Sequence, residues 1–578
     1  MSELNAEQLA VVNCDAPRIL CVASAGSGKS RVGVEWIKRR IDAGVHPSKI
    51  IAISFTNAAS NVLQERLGSV RLGVNSTLHS FLLRLLQKHP SAIGLPERLS
   101  VIDDDAREGI IETIIEELGV KASTKKVMEC LYDPRLIENA RGSKTKIELV
   151  AVEYHRRLRA SGLLDFFTVL YHGRRLIEVL AKERPELWPY THCLWDEGQD
   201  GSDEDFKIFL AMPCAFKLMI GDPDQSIFGF RGAKPENIVN LALHKSAEMN
   251  NWKVFNLQTN YRCKRKICEA AQSLIEHNQD RIPKQTIANE SGGTVVVEAF
   301  DNPGAELAFV AHELSRFHSR PDHADSASLT ELRETAILCR TNPLVETFAN
   351  YLTGLGIPVA KRKLPVVPAD WSTAKLLLTV MANPYCDLAV HQFLVATKGK
   401  SAADVYRRDA AKAMVSLYDH VREHLFAGQV VGLGNLQLQC LSHESRERIH
   451  DTCRLLPEGW TIPDLMFALK AGEVEAKEQG DGVHVSTIHG FKGREATTVY
   501  LVGFEDEFIP SHRKDADVAA ERRLAYVGLT RARQRTVLTW CRARPENRGA
   551  NVKPGPMTVR TPSRFIFEMR GEQPVYNQ

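Results

Sequence analysis

No stretch of the chain approaches the roughly 18 consecutive apolar residues that a membrane-spanning helix needs. The first residues, MSELNAEQLAVV, lack the basic-then-apolar layout of a secretion signal. No membrane association and a cytoplasmic location are therefore expected. Cysteine is scattered, with 12 in 578 residues and no C-x-x-C pair; Cys263 and Cys268 have no second pair nearby. That argues against a zinc or disulfide framework and for reduced thiols. There is no tail of like charge, no low-complexity tract and no short-period repeat, which excludes linker-like and solenoid architectures. The net charge of +3 excludes a bulk basic protein. It leaves room for a local basic groove, because phosphate affinity depends on where the charges sit.

What remains is a chain too long for one core, with length alone suggesting roughly three to five domains. The apolar run Arg18 to Val22 leads into VASAGSGKS, and Val32, Trp36, Ile37 and Ile41 then recur at helical spacing. Strand, glycine loop and helix in that order aim backbone N–H groups at a phosphate. Gly26 and Gly28 permit the tight path, Lys29 reaches outer phosphates, and Ser30 is placed to hold magnesium. The general pattern G-x-x-x-x-G-K-[ST] wants glycine where this chain has Ala23.

Further strands are predicted at 49–54, 192–195 and 216–220, each an apolar run ending in polar or acidic residues, as in a parallel sheet with ligand groups along one edge. Between 87 and 189 the pattern is helical, as in REGIIETIIEELG. A second α/β region starts near Cys263, with strands at 294–298, 335–339, 483–486 and 498–502. The polar segment HSRPDHADSAS from His318 reads as a loop, and 374–479 is helical again. The fold class is thus α/β: two parallel-sheet cores, each interrupted by a mainly helical insertion.

Two stretches carry candidate chemistry. In WDEGQD, Asp196 stands where a carboxylate binds magnesium and Glu197 where one takes a proton from attacking water; alone, such a pair is more often a solvated strand end than a site, and the phosphate loop upstream turns the balance toward a site. In GDPDQSIFGFRGA, Gln225 follows a strand end and is placed to contact a phosphate or orient water. Phe228, Phe230 and Arg231 make either a stacking platform for unpaired bases or a hydrophobic plug between domains.

Taken together, the ordered motifs resemble those of UvrD/Rep/PcrA-type superfamily 1A DNA helicases over most of the chain. LNAEQLAVV resembles the adenine-reading Q motif, and ASAGSGKS the family's own phosphate loop, with Ala23 as its variant. SFTNAASNVLQER, TLHSF, LDFFTVL, DEGQD, GDPDQSIFGFRGA, LQTNYR, LCRTN, VSTIHGFKGRE, ERRLAYVGLTRAR and PSRF follow in the family's order. The resemblance implies two RecA-like cores, 1–86 with 190–262 and 263–373 with 480–578, and insertions at 87–189 and 374–479. It implies ATP and Mg2+ between the cores. Gln8 would read adenine, with Tyr261 and Arg31 stacking on it. Ala23, Ser24, Ala25, Gly26, Ser27, Gly28, Lys29 and Ser30 would cradle phosphate, and Glu495 would contact ribose. Asp196 would join Ser30 on the metal, Glu197 would be the general base, and Arg262 and Arg531 would be arginine fingers. Gln225 and Lys492 would link nucleotide to the DNA track.

On that track the family's motifs place Phe55, Asn57, His79, Phe228, Phe230, Arg231, Arg340, Thr487 and His489. Arg522 and Arg523 read instead as salt-bridge partners. The implied activity is 3′ to 5′ movement on single-stranded DNA and at DNA junctions. Two departures qualify it. Ala58 stands where relatives carry lysine, and the second insertion is short around ATKGKSAADV, which puts duplex engagement in doubt. The alternative is a DNA-stimulated ATPase subunit of a larger repair or anti-phage defence complex, with a protein partner and weak unwinding of its own. RNA as the track is a third, weaker reading.

Overall fold

Valine, isoleucine and leucine runs without alternation are what a strand buried on both faces requires. The computed structural model carries them in two parallel sheets. It describes residues 3–138, 145–244, 251–318, 331–362, 368–382, 387–398, 441–454, 482–511, 517–545 and 556–572, with short pieces between 403 and 479. Most of ATKGKSAADV and of the loop after His318 lies outside the described residues.

The first sheet has six strands: β1 (Arg18–Ala23), β2 (Ile50–Ser54), β3 (Val74–Thr77), β4 (His192–Trp195), β5 (Phe216–Gly221) and β6 (Lys253–Leu257). Their order is β3-β2-β4-β5-β1-β6, parallel throughout. The second has seven: β7 (Thr294–Phe300), β8 (Thr335–Cys339), β9 (Val359–Arg362), β10 (Glu478–Gln479), β11 (Val483–Thr487), β12 (Ala496–Leu501) and β13 (Ala532–Cys541). Its order is β7-β13-β12-β8-β11-β9-β10, and only the β9–β10 pair is antiparallel. The expected α/β class with two RecA-like cores and helical insertions is what the chain adopts. Four strands, β3, β6, β9 and β10, are additional to the sequence reading, as is β13, of which only Ala532 and Arg533 fall in a motif.

Several motif residues build local structure. Thr56 caps the helix Asn57–Leu67 by accepting from Ala59 N at 3.1 Å. Asp165 caps Phe166–Lys182 and exchanges bonds with Thr168. Each such cap satisfies an otherwise orphaned helix N–H.

The two insertions share one core: Ile110, Ile114 and Tyr154 of the first lie in the same buried cluster as Leu377, Phe393 and Leu465 of the second. Lys375 clamps that joint by pairing with Asp103 and with Asp105 at 2.7 Å. A cavity of about 220 Å³ lies between them, lined by Asp103, Phe166, Trp371 and Met466 among others. Among the described residues, no helix is long and apolar enough to cross a membrane.

Candidate nucleotide and nucleic-acid site

β1 delivers the chain into the loop 24–28, and the helix Lys29–Asp42 leaves from it. Gly26 and Gly28 have φ of +67° and +84°, a region that costs other residues about 1–2 kcal/mol. Space forbids a side chain too: a Cβ on Gly26 would stand 2.7 Å from Asn260 Oδ1, and one on Gly28 2.8 Å from Gln8 Nε2. Ser27 Oγ donates to Ser24 O at 2.7 Å and closes the loop. Ala23 and Ala25 are fully buried beneath it.

Gln8 braces this loop. Its Nε2 donates to Ser27 O at 3.0 Å, and its Oε1 accepts from Asn5 N at 3.1 Å as part of a helix cap. Tyr261 N donates to Gly26 O at 2.9 Å, leaving the Tyr261 ring half-exposed beside the loop. Arg31 is half-buried one residue past Ser30.

Asp196 leaves the end of β4. Its Oδ2 accepts from Ser30 Oγ at 3.2 Å and its Oδ1 from Glu197 N at 2.9 Å. Burial, then the charge of Glu197, pushes the Asp196 carboxyl up to about 6. Glu197 has φ of +57°, one of few non-glycine residues in the left-handed region, a strain characteristic of functional sites. Gln199 Nε2 holds its Oε2 at 2.5 Å. Asp200 pairs through Oδ2 with Lys492 Nζ at 2.5 Å; its Oδ1, like the Ser24 hydroxyl, is buried without a hydrogen-bond partner. A hydroxyl and an under-compensated carboxylate side by side fit a hard divalent cation with oxygen ligands. The strained loop and the orphaned Ser24 hydroxyl fit a phosphate.

The second core closes the crevice with cations. Arg531 is 2% exposed, and its hydrogen-bond partners are uncharged: Val527 O, Arg494 O, the Thr530 hydroxyl and, from the first core, Gln225 Oε1 at 3.2 Å. Burial, then repulsion from Arg262, lowers its pKa to about 9. An anion entering the crevice relieves that penalty. Arg262 reaches Glu495 Oε2 at 2.5 Å and Thr530 O at 3.3 Å. Glu495 thus stands against Arg262 and also near Arg533, at 3.8 Å. Arg522 pairs with Glu568 at 2.7 Å, in keeping with its reading as an ion-pair partner.

Next to the crevice lies an aromatic face. Phe55 stacks on Phe228 (centroids 5.3 Å, interplanar 22°), and Phe230 meets Phe228 edge-on at 5.9 Å and His489 at 5.6 Å. The Arg231 guanidinium stands over both phenylalanines at 5.4 and 5.8 Å. Phe230 is 71% exposed, too open for a plug and suited to stacking. Burial, then the charge of Arg340, lowers His489 to about 4, so its ring is neutral at pH 7. Lys492 spans the two regions: it donates to Asp200 and to Gln225 O at 3.0 Å, and its ammonium sits 4.8 Å from the Phe228 ring centre.

The remaining sequence-predicted residues stand apart from that face or are engaged. His79 meets Phe166 at 5.6 Å on the insertion side. Arg340 makes a bidentate pair with Glu521, at 2.7 and 3.2 Å. Thr487 Oγ1 accepts from Gly490 N at 3.1 Å, and Asn57 opens the helix that Thr56 caps. Sequence reasoning missed Arg281 and Lys284. They reach from the second core into the buried carboxylates Asp224 and Asp222. NQDRIPKQT has no motif or periodicity that would flag them.

Comparison with known proteins agrees with this geometry. The family model "UvrD/REP helicase N-terminal domain" matches residues 4–245, and the "UvrD-like helicase C-terminal domain" matches 255–363 and 460–543. The ATP-dependent DNA helicase UvrD1 of Mycobacterium bovis is 28% identical, over 92% of this chain and 81% of the relative. The ATP-dependent DNA helicase PcrA of Bacillus subtilis is 27% identical, over 98% and 86%. The ATP-dependent DNA helicase Rep of Salmonella typhimurium is 26% identical, over 97% and 93%. With a phosphate loop, a strained acidic pair and cross-core arginines in one crevice, and with both family halves matched in order, the chain belongs to the UvrD/REP helicase family.

Proposed function

We propose that the protein is an ATP-dependent 3′ to 5′ DNA helicase, a translocase on single-stranded DNA that works from the crevice between its two cores. The observation that carries this is Lys492, one ammonium shared between the acidic end of the crevice and the aromatic face. The proposed division is 1–86 with 190–262 and 263–373 with 480–578 for the cores, and 87–189 and 374–479 for the insertions.

In this reading the loop from Ala23 to Ser30 holds the phosphates, with Gln8, Arg31 and Tyr261 at the base and Glu495 toward the sugar. Ser30 and Asp196 would hold Mg2+, which when bound neutralises charge on the outer phosphates. Glu197, held by Gln199, takes the proton of the attacking water. Arg531 and Arg262 stabilise charge that grows on the transferred group. Gln225, touching Arg531, and Lys492, touching Asp200, pass the state of the crevice to Phe228 and its neighbours. Bases stack on Phe55, Phe228, Phe230 and His489 beside Arg231. His79, Asn57, Arg340 and Thr487 extend the track, Arg340 once released from Glu521.

The test is displacement of a strand from duplexes with a 3′ or a 5′ single-stranded tail. Unwinding of the 3′-tailed substrate supports the proposal, and preference for the 5′ tail refutes it. A second reading, a DNA-stimulated ATPase subunit of a repair or defence complex, is favoured by the short second insertion joined to the first through a common core. Stimulated hydrolysis without displacement of either substrate would select it.

A further inference from the structure

Lys284 lies between the helix Arg265–Ile275 and β7, far in sequence from every motif of the crevice. Its side chain is 2% exposed. The ammonium meets Asp222 Oδ1 and stands 3.2 Å from Asp224 Oδ2, while Arg281 Nη2 holds Asp224 Oδ2 at 2.8 Å. Asp222 is fully buried at the end of β5. Its other oxygen accepts from Gln225 Nε2 at 2.5 Å, and its own N–H donates to Gln199 Oε1 at 2.9 Å.

A carboxylate only accepts hydrogen bonds. Against ionised Asp222, Gln225 must therefore turn its NH2 inward, which leaves Oε1 to accept from Arg531 Nη2 at 3.2 Å. A protonated Asp222 keeps one acceptor oxygen and gains an O–H, and with that O–H on the oxygen facing Gln225 it would donate instead. The amide would then reverse and set N–H against N–H at Arg531. Resting on the reading of the crevice as an ATPase site, we propose that Lys284 is a positioning residue: by pairing with Asp222 it fixes which end of the Gln225 amide faces Arg531.

The groups facing Asp222 are Lys284, Lys29 and Asp224 with its partner Arg281, and beyond them Glu197 and Tyr526. Burial works to raise the Asp222 carboxyl, and Lys284 is the first of the charges that outweigh it and hold it low. Removing the ammonium takes away the first of the charges that oppose burial, so the Asp222 carboxyl moves up and holds its proton to higher pH than in the wild type.

The experiment compares wild type, Lys284→Met and Lys284→Arg as full chains between pH 6 and 9, with single-stranded DNA present. In Lys284→Met, kcat for ATP should fall about tenfold at pH 7 with KM within about twofold, and should climb back several-fold by pH 9. Lys284→Arg should keep the wild-type pH profile. A wild-type rate in Lys284→Met, or the same loss at every pH, overturns the proposal. Thermal melting gives a readout independent of turnover. Lys284→Met raises the folded-state pKa of Asp222 above that of the wild type, so the deficit in melting temperature against wild type should widen as pH rises. A deficit constant with pH overturns the proposal even if the wild type shows no DNA-stimulated hydrolysis, a result that would itself refute only the functional reading. Should Lys284→Met not fold, Asp222→Asn with Lys284→Met removes the buried charge. That double variant should be slow and flat with pH, and wild-type turnover in it overturns the proposal.

Discussion

Two joints in this molecule differ in the balance of what they are built from. Between the cores a set of charged and polar pairs lines the crevice, Lys492 on Asp200, Arg531 on Gln225, Lys284 on Asp222 and Arg281 on Asp224, beside a smaller apolar patch where Ala25 and Ile227 join the second core's cluster. Between the insertions the contact is a continuous apolar core, edged by the Lys375 pairs with Asp103 and Asp105. Apolar burial is non-directional and indifferent to a phosphate. A buried ionic joint is poised, because each charge has been taken out of water and answers to any new charge nearby. The difference teaches where motion can be driven. A ligand of high charge can re-pair the crevice, whereas the insertion joint is mainly apolar, with the Lys375 pairs only at its edge.

The sharpest way to break the comparison is to remove the charge that the crevice keeps without an acidic partner. Arg531→Ala should lower DNA-stimulated ATP hydrolysis about 10³-fold or more, the scale of an arginine finger, with nucleotide binding still measurable by fluorescence titration. Glu197→Gln should cost about 10²- to 10³-fold in single-turnover hydrolysis while ATP is still retained on a filter. In the apolar joint, Leu377→Ala should destabilise by about 2–3 kcal/mol in denaturant melts and leave stimulated hydrolysis at 25 °C intact. A loss of hydrolysis there would show that the insertion joint also carries the signal.

The smallest effect has the opposite sign. The folded-state pKa of Asp196 is raised to about 6, so stability is lost as pH rises through that value and remains lost at pH 7. Asp196→Asn should therefore raise the stability of the ligand-free protein by about 1 kcal/mol at pH 7, a figure discounted because the carboxylate keeps some contact with solvent, and by less at pH 4. Equal gains at both pH values would remove Asp196 from the list of charges the crevice strains to hold.

How much of this was legible in the sequence follows the physics of each element. Strands β2, β4 and β8, buried on both faces, announce themselves as unbroken apolar runs. β3 reads Val-Asn-Ser-Thr, and β6 lies at the sheet edge with Lys253 and Asn256 exposed, so neither carries such a signal. The phosphate loop was readable because glycine, lysine and serine must stand at fixed spacing. The left-handed backbone of Glu197 was not, since glutamate gives no sign of it. The Lys284–Asp222 pair spans 62 residues and joins two elements whose proximity only the fold creates. The common core of the insertions joins helices separated in sequence by the end of the first core and the beginning of the second. Helical periodicity shows that each has an apolar face and not what that face meets.

The central claim is that the polar joint between the cores couples nucleotide to nucleic acid. The most direct measurement is the steady-state rate of ATP hydrolysis by the full chain as a single-stranded oligonucleotide is titrated in. The rate should rise to a plateau, and higher salt should shift the half-point upward as phosphate contacts weaken. A rate that stays the same at every oligonucleotide concentration would contradict the account.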